Sequence, residues 1–430
     1  MPIDTKNPSY IGDQWAQMRD CFAGDSAIKA RRDLYLTRAA GQSKDEYDKM
    51  LKRAFFLPVL SRTISEVTGN IMRKPITVEL PERLKPMIYD VGNGKDLNTF
   101  TAGLIDELLL TSRRGILVDF DDAKKRPVFR SYSAESIINW SADFIILREP
   151  FLVSDPDDKY NLIEAVEYRE LTRDDDGFYM QRVWKSDGDT YVAGEPIYPT
   201  KLGDKLTEIP FVFVNPIDNT PAIKKPVFKD LSDANLQHYQ VYSDLRQVIQ
   251  ATTHKPTFLF MDGKPPTTIK YGIGGLNHIP DSAGHAEVVS DQGGISEYLS
   301  VLDKLEHQMA ALGARALQAK RAQVQTAESA RVEQSGDSAT LMTIADSVES
   351  ALVKAFELAA GFLGVDESQI DIKVNKDFIE GELDAAMIGA LLQAINTGRM
   401  SQRTFTEYLQ RGEIVSIDID EELGLIADGQ

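Results

Sequence analysis

The sequence predicts an α+β protein in which long helices frame a strand-rich region. Three observations carry that expectation. Residues 115–214 are rich in β-branched and aromatic residues, alternating or in short apolar runs, with Asp-Gly turns at 176–177 and 187–188. Residues 230–253, 296–317 and 338–363 instead place apolar residues at helical spacing. The chain of 430 residues, 42% hydrophobic and 8% aromatic, has the composition of a folded protein. Its length suits roughly two to four structural units.

Taken in order, "SKDEYDKMLKRAFFLPVLSRTISEVTGNIMRKPITVELP" (43–81) opens a helix with Ser43 as N-cap and acidic residues in the first turn. Pro58 kinks or breaks it, and Pro75 ends its continuation. "LNTFTAGLIDELLLTSRR" (97–114) predicts a helix burying Phe100, Leu104, Leu108 and Thr111, which feeds the short strand "GILVDF" (115–120). Several strands follow, the last being "IPFVFVN". The helix of 230–253 sets Leu231, Ala234, Val241, Leu245 and Val248 on one face and halts at Pro256.

Residues 256–295 then read as a compact insertion of short strands and Gly/Pro turns. A second long helix follows, with Ser296 as N-cap. Its residues Tyr298, Leu302, Leu305, Met309, Leu312 and Ala316 step by four and three, a heptad-like seam for another long helix, inside the subunit or outside it. The helix beginning near 338 carries the stripe Leu341, Ile344, Ala345, Val348, Leu352 and Phe356 and stops at Gly361 or Gly364. A strand in "IDIKVNKDF" and two helices, with stops at Gly398 and Gly412 and an N-cap at Ser401, complete the chain.

A net charge of −18 opposes tight nucleic-acid binding over the whole surface, because phosphate binding needs accumulated Lys and Arg. It is compatible with a protein that DNA passes without sticking. Cys21 is the single cysteine, so neither an internal disulfide nor a cysteine zinc cluster can form. No apolar run reaches the ~18–20 residues of a membrane span, and the opening "MPIDTKNPSYIGDQW" lacks a leader's basic and apolar regions.

Chemistry-bearing motifs are absent. "YGIGGLNH" (271–278) has glycines but no following Lys-Ser/Thr and no helix start, so it reads as a surface turn. None of the five histidines pair at i, i+4, and no G-x-S-x-G elbow occurs. Asp174, Asp175 and Asp176 sit at a hairpin tip, where solvated charge is ordinary. No cofactor or metal is expected.

Three stretches, in order, resemble the portal proteins of tailed bacteriophages, in the branch with the compact subunit. They are "ELLLTSRRGILVDF" with "YSAESIINW", "IPFVFVN" with "KDLSDANLQHYQVYSDLRQVIQATTHKPTFLFMDG", and "VNKDFIEGELDAAMIGALLQAINTGRMSQRTFTEYLQRGEIV" with its G-x-x-S-x-x-T turn. The resemblance implies a portal fold: residues 1–229 a mixed α/β wing, 230–254 and 296–316 stem helices, and 255–295 a small α/β clip. Residues 317–337 would be a tunnel-loop region, 338–375 a wing helix and strand, and 376–430 a helical crown.

The same resemblance implies a dodecameric ring at one capsid vertex, the channel for DNA packaging and ejection. Implied partners are the major capsid protein and scaffold, the terminase large subunit, a head–tail connector or adaptor, and double-stranded DNA bound non-specifically. The subunit would have no enzymatic activity and would sit in the virion after synthesis in the host bacterial cytoplasm. Neighbouring stem helices would then meet the heptad-like seam.

The stretch 315–337 is polar, basic and free of proline. Arg315, Lys320, Arg321 and Arg331 are its candidates for weak, mobile contact with the duplex, or for pairing with acidic side chains of adjacent subunits. Lys264, Pro265, Pro266, Gly272, Gly274 and Gly275 are the clip candidates for docking terminase or connector. Two other readings stand beside this one: a different virion or tail-adaptor protein, or an enzyme with a site of unremarkable carboxylates.

Overall fold

A computed structural model describes residues 2–430 except 93, 156–157, 189, 254–256, 261, 264–275, 280–284, 289–293, 315–326, 377–384, 412–423 and 425–430. It divides into two units, residues 1–375 and 376–430. The fold class is α+β, and the described residues form no barrel.

Helices α1 (Gly12–Ala23), α2 (Asp25–Ala30), α3 (Lys44–Arg53) and α4 (Val59–Ile71) open the chain. Ser43 closes a capping box on α3: its hydroxyl accepts from the Glu46 N–H at 3.3 Å, and the Glu46 carboxylate accepts from the Ser43 N–H at 2.8 Å. The helix breaks where proline requires it, with α3 ending at Arg53 and Pro58 standing as N-cap of α4. After β1 (Thr77–Glu79) and α5 (Pro86–Tyr89), helix α6 (Leu97–Thr111) buries the expected face of Phe100, Leu104, Leu108 and Thr111. Ser112 then adopts φ 56°, the left-handed turn that swings the chain into the first long strand.

The strands that follow are β2 (Arg114–Asp121), β3 (Arg126–Ser133), β4 (Ile137–Trp140), β5 (Phe144–Ser154), β6 (Leu162–Arg173), β7 (Tyr179–Asp187) and β8 (Thr190–Ala193). The small hairpin β9 (Thr200–Lys201) and β10 (Asp204–Lys205) precedes β11 (Phe211–Val214). Strands β4 to β8 form a meander in chain order, and β11-β2-β3 form a second sheet. Both Asp-Gly turns fall where the sequence predicts, with Gly177 at φ +84° and Gly188 at +61°.

Pleating sorts the side chains of the second sheet. Leu117, Tyr132, Phe211 and Phe213 pack against Ile137, Ile145, Leu147, Leu171 and Tyr179 of the meander. Ile116, Val118, Phe129 and Val212 fall on the opposite face. A Cβ on Gly115 would lie 2.2 Å from the Phe211 ring, so only glycine lets that ring cross the strand.

The chain continues through α7 (Lys229–Thr253), β12 (Thr257–Phe260), β13 (Leu276–Ile279), β14 (His285–Val288), α8 (Ile295–Ala314), α9 (Ala327–Leu363) and β15 (Asp371–Lys373). Helix α9 covers the helix-side face of the second sheet. Its expected stripe from Leu341 to Phe356 is buried, and Phe356 meets Phe129 edge-on at 5.0 Å. Two boundaries differ from expectation. Helix α9 begins at Ala327 instead of near 338: Ala327, Glu328, Ala330, Arg331, Glu333 and Gln334 are good helix formers, no proline intervenes, and the helix runs through Gly336. Helix α8 begins at Ile295, so Ser296 lies inside its first turn, after Gly294 at φ +96°. Gly364, at φ +60°, supplies the stop after α9, and β15 pairs antiparallel with β1.

Strands β5 and β6 outrun their neighbours. Strand β4 pairs β5 only through Ile145–Leu147, and β7 pairs β6 only from Tyr168 to Arg173. Residues 149–154 and 162–167 pair with each other as a two-stranded ribbon beyond the sheet. In the second unit, α10 (Ala385–Asn396) and α11 (Gln402–Arg411) flank Gly398 at φ +69°. The Ser401 hydroxyl accepts from the Thr404 N–H at 3.1 Å, the N-cap that the sequence predicts.

Candidate functional site

The segment from α7 to α8 is the feature with the strongest functional geometry. Two contacts fix how its helices run. A Cβ placed on Gly313 would lie 3.3 Å from the Leu231 side chain, and His238 Nε2 lies 3.3 Å from a Glu306 carboxylate oxygen. Each step covers seven residues, upward on α7 and downward on α8, so the helices are antiparallel. With 25 and 20 residues they extend roughly 37 and 30 Å. Three strands lie between them in sequence, β12 in the centre, parallel to β13 and antiparallel to β14.

The base of α7 is held from several directions. The Asn215 side-chain oxygen accepts from the Ile217 and Asp218 N–H groups at 2.8 and 3.0 Å, and its amide donates to the Thr220 carbonyl at 3.0 Å. The Asn219 amide donates to the Ser347 carbonyl of α9 at 2.7 Å, and the Ser347 hydroxyl donates back to the Asn215 carbonyl. The Val227 N–H donates to the Ser112 hydroxyl at 3.1 Å. The Lys224 ammonium, with the Asn215 amide and the Thr220 hydroxyl, holds the Asp218 carboxyl well below its ordinary value.

Arg113 completes this base. Its side chain is 2% exposed, lies over the Trp140 ring at 4.1 Å and the Phe213 ring at 5.0 Å, and donates to the Pro221 carbonyl at 2.7 Å. Nε and Nη2 have no hydrogen-bond partner among the described residues. Desolvation pushes the guanidinium down to about 10. Cation–π contact takes the place of a counter-ion here.

Helix α7 is embedded over its first half and half-exposed beyond Arg246. It packs on α1, α3, α4 and α8. Its inner surface is unusually polar: among the described residues, the buried side-chain polar atoms of Asn235, Tyr239 and Ser243 have no partner, nor does His238 Nδ1. Such groups cost stability and are infrequent in interiors. On α8, Leu302, Leu305 and Met309 are buried, but Leu312 is not. The buried Gly313 takes its place, where an added Cβ would lie 3.0 Å from the Thr63 hydroxyl and 3.3 Å from the Leu231 side chain. The seam's buried residues are met by this subunit's own α7 and α4.

Burial lowers the His238 pKa, while the hydrogen bond and charge of Glu306 pull it upward. The ordinary value is 6.5. Below that pH the unfolded chain takes up a proton that the folded chain resists, so this stabilisation is complete above about pH 6.5 and is lost as the pH falls through it. We expect the unfolding midpoint of His238→Gln to fall less steeply than wild type between about pH 7 and pH 5. Parallel profiles would refute this.

Of the basic candidates, Arg315, Lys320 and Arg321 lie outside the described residues. Arg331 falls in the first turns of α9. The clip candidates Lys264, Pro265, Pro266, Gly272, Gly274 and Gly275 also lie outside them. The Asp174 carboxylate accepts from the Asp176 and Phe178 N–H groups at 3.1 and 2.8 Å, so it shapes its turn. Among the described residues, no three of His, Cys, Asp or Glu gather as metal ligands, and no helix is long and apolar enough to cross a membrane. Sequence reasoning missed Arg113, Asn215, Ser347 and Asn235. Only Asn215 carried a signal, in the turn-rich "VNPIDNT".

Comparison with known proteins gives three results. A family model described as "Domain of unknown function (DUF4055)" matches residues 227–363, from the base of α7 to the end of α9. No curated protein matches the chain. Among solved structures, a chain in "Virion of native gene transfer agent (GTA) particle" is similar at 10% identity and TM-score 0.46, over 88% of this chain and 96% of that one. A chain in "Neck of native GTA particle computed with C12 symmetry" is similar at 10% identity and TM-score 0.43, over 89% and 98%. Overlap of that degree leaves function to be reasoned from this chain's own geometry.

Proposed function

We propose that this chain is a virion structural protein, the subunit of a portal ring at one vertex of a phage-type capsid. The observation that carries the reading is the α7–α8 pair, two antiparallel rods that enclose a small sheet in sequence and are rooted in a mixed α/β body. Helix α8 is covered on only one of its faces, leaving Leu299 at 54%, Val301 at 43% and Leu312 at 39% exposure. Apolar surface on a long, one-sided helix suits lateral packing with further copies. In this reading the rods line a channel, and the strands between them form the outward surface that meets the terminase large subunit and later a connector. The major capsid protein and scaffold would surround the ring.

Charge fits a conduit. Twelve copies at −18 each carry on the order of two hundred negative charges, which discourages a duplex from adhering to the wall. Arg315, Lys320, Arg321 and Arg331 are the proposed exception, a weak basic contact that steadies DNA without gripping it. Synthesis in the host bacterial cytoplasm and residence in the virion follow from this role. A tail adaptor shares the lack of catalytic motifs but does not by itself require two rods enclosing a small sheet.

Negative-stain microscopy and native mass measurement of the purified chain test the proposal. Rings with a central hole are expected. A discrete monomer at every concentration, or catalytic turnover, overturns the reading. Neutralising the four basic residues together is expected to alter DNA retention or packaging with rings intact. If rings fail to form instead, those residues are assembly contacts.

A further inference from the structure

We infer that the ribbon of residues 149–154 and 162–167 is an intersubunit clasp, which docks on the basic helical corner of residues 29–55 of a second copy of this chain. The inference rests on the ring reading and adds a specific lateral contact to it.

The ribbon is built unlike a solvent-facing hairpin. Directly opposed residues of antiparallel strands share a face, and here Leu152 opposes Glu164, Ser154 opposes Leu162, and Val153 opposes Ile163. Leu152 and Leu162 therefore lie on one face, at 65% and 56% exposure, and Phe151 and Ile163 lie exposed on the other. A ribbon with one wet face would alternate; apolar residues on both faces mark strands covered from both sides. A two-stranded ribbon is also marginal by itself, and one that outruns its sheet gains stability from a partner.

The chain carries a matching surface. Residues 148–167 hold six Asp and Glu against two Lys and Arg. Residues 29–55 hold eight Lys and Arg against four Asp and Glu, within a chain of net charge −18. Leu34, at 69% exposure, and Phe55 are exposed in that segment, as are Arg38, Lys49 and Lys52. The corner is a firm platform: Arg32 pairs with Asp48, the Tyr47 hydroxyl donates to the Leu36 carbonyl at 2.7 Å, and the Phe56 N–H donates to Asp25 at 2.9 Å. An acidic, apolar projection and a basic, apolar receptor on one chain are complementary but different patches. Such contacts are heterologous, and they close into rings when the rotation allows.

The test compares wild type, Leu152→Asp/Leu162→Asp, and a control, Tyr89→Asp, at a highly exposed residue of α5. Mass photometry reads assembly, and circular dichroism confirms folding. Both targets are exposed, so the double variant is expected to fold and to need at least about a hundredfold more protein to form rings. The control should assemble as wild type does. Rings of wild type and double variant at equal concentration overturn the clasp and leave the ring reading standing. No rings of wild type at all overturn both. In a Cys21→Ser background, Leu162→Cys with Leu34→Cys is expected to give a ladder of disulfide-linked multimers on oxidation. Assembled rings without that ladder overturn the proposed receptor.

Discussion

Replacing Phe356 by alanine is expected to lower the unfolding free energy by about 3–5 kcal/mol. Phe356 is fully buried on α9, edge-on to Phe129 of β3, and Phe129 in turn lies 5.8 Å from Phe100 of α6. Truncation opens a void among three elements that cannot close it, since the sheet is pinned on its far face by Leu117, Tyr132 and the meander. The transfer loss and the residual cavity add. Phe356→Leu keeps most of the volume and should cost under about 2 kcal/mol. Urea unfolding of both variants measures the difference, and equal costs would mean that the helix–sheet seam is loosely packed.

The second large effect is expected at Arg19. Its guanidinium is a double fork, donating to both Glu107 oxygens at 2.7 Å and to the two Glu135 oxygens at 2.8 and 3.0 Å. It thereby ties α1 to α6 and to the short turn of residues 134–136. Burial drives the Glu135 pKa up, but the Arg19 hydrogen bonds and charge outweigh this and leave it below the ordinary value of 4.5. The pair's contribution is thus complete above about pH 4.5 and fades as the pH falls through the lowered value.

Arg19→Ala strands Glu135, while Glu107 keeps Arg114 at 3.1 Å. Breaking a fully buried pair costs about 3–5 kcal/mol; with these side chains about a third exposed or less, a loss of about 2 kcal/mol is expected. Glu135→Gln should recover part of it in the Arg19→Ala background, and a double-mutant cycle with no coupling would refute the fork as a stabiliser.

Much of the fold was legible because its signals are local. The helical periods of 230–253 and of the α9 stripe, the Ser43 box, the proline break at 58 and the two Asp-Gly turns each depend on residues within a turn or two of one another. Misreadings came where local preference and long-range packing diverge. Leu312 continues a heptad on paper, but α8 must pass close to Thr63 and Leu231, so Gly313 takes the buried position and the leucine faces outward. Ser335, Gly336 and Asp337 favour a turn, which points to a start for α9 near 338, yet the good helix formers before them extend the helix back to Ala327.

Apart from the turn at Asn215, the base of α7 was not legible. Arg113 to Pro221 spans 108 residues, and Ser347 to Asn215 spans 132. No window of sequence contains both partners. Nor does any motif announce an arginine stacked on Trp140 and Phe213.

The opposed directions of α7 and α8 carry one more consequence. The polypeptide leaves the body along α7 beyond Arg246 and returns down α8 to Gly313, beside Leu231, so the distal part hangs from a single socket. Evolution, or a protein engineer, can lengthen, shorten or exchange the distal cassette while the parent scaffold keeps its packing. A chimera carrying a foreign tip between residues 253 and 295 should fold like its host and differ only in what it recognises.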